Sequence, residues 1–129
     1  YILPRATVEQ GLRDVYGDPS RVTPELVDRY YDITLRAGNR AALPKRIRYM
    51  PDEASAARVA QVTQPTLILW GGRDRLIPLA NGERLHRDIV GSQLVVFPEL
   101  GHVPHEVDPQ ATLAAVQAFL EKPVASPLP

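Results

Sequence analysis

Asp74 and His102 are the residues of this sequence best placed to do chemistry together. Asp74 closes the run Pro65-Thr66-Leu67-Ile68-Leu69-Trp70-Gly71-Gly72-Arg73-Asp74, and Gly101-His102 follows Leu94-Val95-Val96-Phe97. A carboxylate bonded to one ring nitrogen of an imidazole fixes its tautomer. It also stabilises the imidazolium when the other nitrogen takes a proton. Such a pair is the acid–base arm of a nucleophilic triad. No nucleophile accompanies it: the sequence contains no Gly-x-Ser-x-Gly and no Cys. Ser20, Ser55, Ser92 and Ser126 each lack the strand–turn–helix setting that exposes a reactive serine. The other cluster of ligand-type residues is His102-x-x-His105-Glu106. Its spacing is one short of the His-x-x-x-His that places two ligands on one helical face, and it has no third ligand. His105 reads as a surface or supporting residue, and neither a metal nor a cofactor is expected.

For Asp74 and His102 to meet, two neighbouring parallel strands must deliver their loops side by side. Thr66 to Trp70 is a short apolar run bounded by Pro65 and Gly71-Gly72, which fits a buried parallel strand. Leu79 to Ile89 carries Leu79, Gly82, Leu85, His86 and Ile89 at helical spacing, and Gly91 stops it. Gln93 to Phe97 reads as a second buried strand. Asp108-Pro109 combines a capping side chain with a first-turn proline. The helix it opens is expected to bury Leu113, Val116 and Leu120, with Phe119 beside them. Strand, helix, strand, helix predicts parallel pairing through a crossover, with functional groups gathered beyond the carboxyl ends of the strands. Gly101 lets backbone approach closely and aim the histidine, and Pro78 stiffens the acid loop. Leu76, Ile77 and Val103 flank the two candidate residues. They are the positions expected to touch a substrate, although loop packing explains them equally well.

Residues 1 to about 62 contain helical patterns and no convincing strand. Thr7 to Tyr16 places Val8, Leu12 and Val15 or Tyr16 on one face and ends at Gly17. Asp18-Pro19-Ser20 is a turn. Thr23-Pro24-Glu25 is a strong helix start, and Leu26, Tyr30, Ile33 and Ala37 then share a face that Val27, Tyr31 and Leu35 widen. Gly38-Asn39 is a stop signal. Short helices are expected at 41–50, around Pro44, and at 52–62. The stretch 122–129, with Pro123, Pro127 and Pro129, reads as a disordered tail.

The 129 residues carry fifteen basic and fifteen acidic side chains, mixed along the chain, for a net charge of zero. Nothing in that pattern predicts nucleic acid or an anionic membrane as a partner. The lack of Cys excludes disulfides, thiolate zinc and a thiol nucleophile, and it is compatible with the cytoplasm, the expected compartment. No apolar run approaches the roughly 20 residues needed to span a bilayer. Tyr1 stands first, and the only Met is Met50. Two parallel strands cannot cover both their faces and their edges. The chain is therefore expected to be one margin of a larger sheet, with the missing N-terminal half of the same fold as its partner. An oligomer is compatible with the same open edge.

Residues 65 to 120 resemble the C-terminal end of an α/β-hydrolase. The strand followed by Trp70-Gly71-x-x-Asp74-x-x-Ile77-Pro78 is similar to the acid loop of that superfamily. Leu94-Val95-Val96-Phe97 followed by Gly101-His102 is similar to its histidine loop, and Phe119-Leu120 to its closing helix. The resemblance implies an α/β fold: the last two strand–helix units of a parallel sheet at 63–121, preceded by a helical cap segment at 1–62. It implies Asp74 as the acid, His102 as the base, and a small-molecule substrate with a hydrolysable ester or related bond. The nucleophile elbow would lie before Tyr1, so the isolated chain is expected to lack triad activity. Two alternatives stay open. One is a non-catalytic binding module that reuses the end of the fold. The other is a relative with an Asp nucleophile, of the dehalogenase or epoxide-hydrolase kind.

Overall fold

The computed structural model describes residues 3–39, 41–42, 45 and 57–122. Its first helix, α1, spans Arg5–Tyr16 and starts ahead of the expected Thr7, from an extended Pro4. Gly17 takes the left-handed conformation, φ 72°, and ends it. The Asp18 carboxylate accepts the Ser20 N–H at 2.9 Å, turning the expected turn into a short 3-10 helix, Pro19–Arg21. Helix α2, Pro24–Leu35, begins as its sequence predicts: Thr23 Oγ1 accepts the Leu26 N–H at 3.2 Å, and Pro24 occupies the first turn.

The α2 face is narrower than expected. The helix ends at Leu35 rather than reaching Ala37, and the Asn39 amide donates to the Ile33 carbonyl at 2.7 Å. Val27 is the residue it buries fully, with Leu26 and Tyr30 beside it, while Ile33 and Leu35 stay exposed. Leu12, Tyr16 and Val27 form the core between α1 and α2. Val8, Val15, Val22, Leu26 and Tyr30 pack around that core, and so do Val103 and Val107 from the far end of the chain. Most of the helix expected at 41–50, and residues 52–56 of the next, lie outside the described residues, as do 123–129 of the expected tail. Residues 57–59 are helical, as expected.

The second half alternates as its pattern predicts. Strand β1, Leu67–Gly71, pairs in parallel with strand β2, Gln93–Phe97, in the register Leu67 to Gln93 through Gly71 to Phe97. β1 starts one residue later than expected, and the Thr66 carbonyl still accepts the Gln93 N–H at 2.9 Å. Helix α3, Leu79–Asp88, crosses back between them. It approaches β1 where Gly82 lies on the Trp70 ring, so close that a Cβ would stand 2.7 Å from a ring carbon. Trp70 is thus a packing residue, and its Nε1–H donates to the Ile77 carbonyl at 3.3 Å. His86, on the outer side of α3, shares a hydrogen bond of 2.9 Å with Ser92 Oγ.

A one-turn helix, α4 at Pro104–Val107, precedes the last helix, α5 at Pro109–Leu120. Asp108 caps α5 by accepting the Ala111 N–H at 2.9 Å. The expected apolar face of α5 is corrected. Thr112 is buried, but Leu113 and Leu120 are 56% and 72% exposed. At about 100° per residue, Leu113 and Leu120 fall roughly a quarter-turn away from the stripe through Thr112, Val116 and Phe119. Thr112 can be buried because its hydroxyl donates back to the Asp108 carbonyl at 3.0 Å.

Candidate active site

The two loops beyond the carboxyl ends of β1 and β2 meet, and they bring Asp74 to His102. The carboxylate oxygen Oδ2 of Asp74 lies 2.8 Å from His102 Nδ1. The Asp74 side chain is 4% exposed and the imidazole 35%, so the acid is sealed while the base keeps an open side. Among the described residues nothing else bonds the ring. With Asp74 ionised, Nδ1 carries the proton, and Nε2 is the nitrogen left to accept one.

The acid is held by its own loop. Asp74 Oδ1 accepts the Leu76 and Ile77 N–H groups at 2.8 and 2.9 Å, an Asx-type arrangement local to the segment. Burial works against ionisation of Asp74. The bonds from Ile77, His102 and Leu76 outweigh it and hold the carboxyl below its ordinary value.

The base is held from elsewhere. The His102 N–H donates to the Val15 carbonyl at 2.7 Å, at the C-terminal end of α1. Gly101 lies directly on the α1 terminus, where a Cβ would run into the Val15 carbonyl and the Tyr16 backbone. On its other side the Gly101 carbonyl fills the space a Cβ on Gly71 would need. Glycine at both positions is therefore a matter of close approach rather than of unusual dihedral angles.

Four residues after His102, Glu106 receives the Tyr16 hydroxyl on one carboxylate oxygen and the Tyr30 hydroxyl on the other, each at 2.8 Å. Burial disfavours the Glu106 charge, but the Tyr16 and Tyr30 bonds, with Arg29 and His105 nearby, hold its carboxyl below its ordinary value. Burial and the Glu106 carboxylate push both tyrosines up. Sequence reading did not find this arrangement. Tyr16 and Tyr30 sat at helical spacing, a signal for packing, and nothing local linked either to Glu106.

The three flanking positions separate. Leu76 and Ile77 are exposed on the acid loop, whereas Val103 packs against the Leu12–Tyr16–Val27 core. Arg73 pairs with Glu99, and Arg84 with Asp88, among exposed side chains. Ser20 and Ser92 are committed to local bonds with Asp18 and with the His86 carbonyl, and neither bonds the imidazole of His102. Among the described residues no group of acidic and histidine side chains is arranged to hold a metal ion. Among them, too, no helix is long and apolar enough to cross a membrane.

Comparison with known proteins agrees with this architecture. A hydrolase of Bacillus subtilis described as uncharacterised is 26% identical over 119 residues, an alignment that takes in 92% of this chain and 44% of its own length. A pimeloyl-[acyl-carrier protein] methyl ester esterase of Neisseria meningitidis is 29% identical over 108 residues, covering 84% of this chain and 39% of its own. The structure of a meta-cleavage product hydrolase from Pseudomonas fluorescens superposes with a TM-score of 0.77 at 22% identity, over 93% of this chain and 46% of that one. The chain thus spans less than half the length of these proteins. The sequence model of the "Alpha/beta hydrolase family" matches residues 2–116, and the chain belongs to that family of hydrolases.

Proposed function

We propose that Asp74 and His102 are the acid and base of a Ser-Asp-His-type triad, and that the nucleophile is supplied by sequence outside these 129 residues. The observation that carries this reading is the 2.8 Å bond between a sealed carboxylate and a half-open imidazole at the ends of two parallel strands. In this reading His102 Nε2 takes the proton of the attacking hydroxyl. Asp74 keeps Nδ1 protonated and stabilises the imidazolium, and the same proton then goes to the leaving group. Residues 1–62 would serve as the cap, and the lack of Cys suits work in the cytoplasm.

The proposed substrate is a small-molecule ester. Support comes from the dyad, which suits acyl transfer, and from the esterase among the relatives. Exposed Leu76 and Ile77 would offer apolar contact to the acyl or alcohol group. The test is hydrolysis of short-chain aryl esters by the 129-residue chain, alone and joined to the sequence encoded directly upstream. The chain alone is expected to show no His102-dependent turnover, and the longer protein to show it. Turnover by the 129 residues alone, abolished by His102→Ala, would overturn the claim of an outside nucleophile. An in-frame Asp at the elbow instead of Ser would replace the ester reading by an Asp-nucleophile one.

A further inference from the structure

The ties between the α1–α2 block and the histidine loop exceed what packing requires. The apolar core between the two helices already includes Val103 and Val107 from the loop. Added to it are polar bonds that each cross a long stretch of sequence. The Tyr16 and Tyr30 hydroxyls both donate to Glu106, the Arg21 guanidinium donates to the Val107 carbonyl at 3.0 Å, and the His102 N–H donates to the Val15 carbonyl. Glu106 is the centre of the set. An ionised carboxylate only accepts, and here its two oxygens take one hydroxyl from each helix. It sits within α4, whose backbone turns directly out of the histidine loop, with the Glu106 and Val107 N–H groups both on the Val103 carbonyl. The carboxylate tied to the two helices thus stands four residues beyond His102.

We infer that Glu106, clamped by Tyr16 and Tyr30, is a positioning residue for His102, so that the imidazole is aimed at its partner only when α1 and α2 are seated on the histidine loop. The inference rests on the dyad reading of Asp74 and His102 given above. Glu106 touches no reacting atom. Its effect passes through the loop, as expected for a group that orients a base by holding the segment that carries it. The helical block thereby becomes part of the catalytic geometry rather than a cover laid over it.

The imidazole itself supplies the readout, so turnover is not needed. The proton on His102 Nδ1, observed by NMR on the 129-residue chain labelled at histidine nitrogen, is expected to be protected from solvent and to be lost in Asp74→Asn. Glu106→Ala, and the double substitution Tyr16→Phe with Tyr30→Phe, should speed its exchange by about tenfold or more, the scale of losing a charge-assisted bond. Glu106→Gln should restore protection, because its amide can accept one hydroxyl and donate to the other. Ile89→Ala, a buried change at the opposite end of the strands, controls for general loss of stability and should leave the proton unchanged. If Glu106→Ala fails to fold, Tyr30→Phe alone, which removes one oxygen at a partly exposed ring, decides the matter. A proton that depends on Asp74 but ignores every clamp variant overturns the inference and leaves the proposed function standing. A proton that Asp74→Asn does not alter overturns both.

Discussion

The two loops of the site solve the same problem in opposite ways. The acid side chain is braced from within its own loop: Asp74 Oδ1 accepts the N–H groups of Leu76 and Ile77, two and three residues on, while the Gly72 and Arg73 N–H groups tie that loop to the Phe97 and Leu100 carbonyls. The His102 side chain has no such bond from its near neighbours: its side-chain partner among the described residues is Asp74, 28 residues away. The backbone of its loop is held by Val15, the glycine before it by the α1 terminus, and the turn after it by Tyr16 and Tyr30. The acid is thus placed by local chemistry and the base by tertiary contacts. A carboxylate can aim itself, because it accepts from neighbouring amides. In the proposed triad the imidazole leaves one nitrogen for the reacting groups and has only one other for orientation, so its loop needs outside support.

This contrast makes graded predictions. The largest effect belongs to the base side. Gly101→Val forces a side chain into the Val15 carbonyl and Tyr16 backbone, and it should destabilise the fold by about 3 kcal/mol or more in chemical denaturation. Asp74→Ala on the acid side removes the acceptor of two loop amides and the partner of His102 Nδ1, and it should cost about 1–2 kcal/mol, because it forces no backbone apart. An equal loss in the two variants would erase the contrast. Tyr16→Phe should cost about 1–2 kcal/mol and Tyr30→Phe about 1 kcal/mol, the more buried ring losing more. Equal and negligible effects would place the weight on the apolar core instead.

The smallest effect is a slope with pH. Asp74 and Glu106 both have carboxyls held below their ordinary values of 3.8 and 4.5. A depressed folded value means stability that is fully present above the ordinary value and is lost as pH falls through the folded one. The melting temperature should therefore fall as acid is added below those ordinary values. Asp74→Asn and Glu106→Gln should each flatten that fall.

Much of this site was legible in the sequence because its signals are local. The helix starts at Thr23-Pro24 and Asp108-Pro109 and the stop at Gly17 rest on contacts within a few residues, and the strand at Leu67–Gly71 announces itself as a short apolar run between breakers. Asp74 and His102 could be paired in advance because parallel neighbours bring strand ends together. What escaped was non-local. The clamp joins Tyr16 and Tyr30 to Glu106 across 90 and 76 residues, which no periodicity can reveal. The face of α5 escaped for a subtler reason. Leu113 and Leu120 are larger and more apolar than Thr112, so hydrophobicity favoured them. Thr112 takes the buried position by returning its hydroxyl to the backbone, while the leucines remain in the open.

The most direct test of the dyad is the kinetics of ester hydrolysis by this chain joined to its upstream sequence, compared among wild type, Asp74→Asn and His102→Ala. Both substitutions are expected to lower kcat by about a thousandfold or more with the fold intact, His102→Ala by removing the base and Asp74→Asn by leaving the imidazole in the wrong tautomer. Turnover within a few-fold of wild type in either folded variant would contradict the dyad reading.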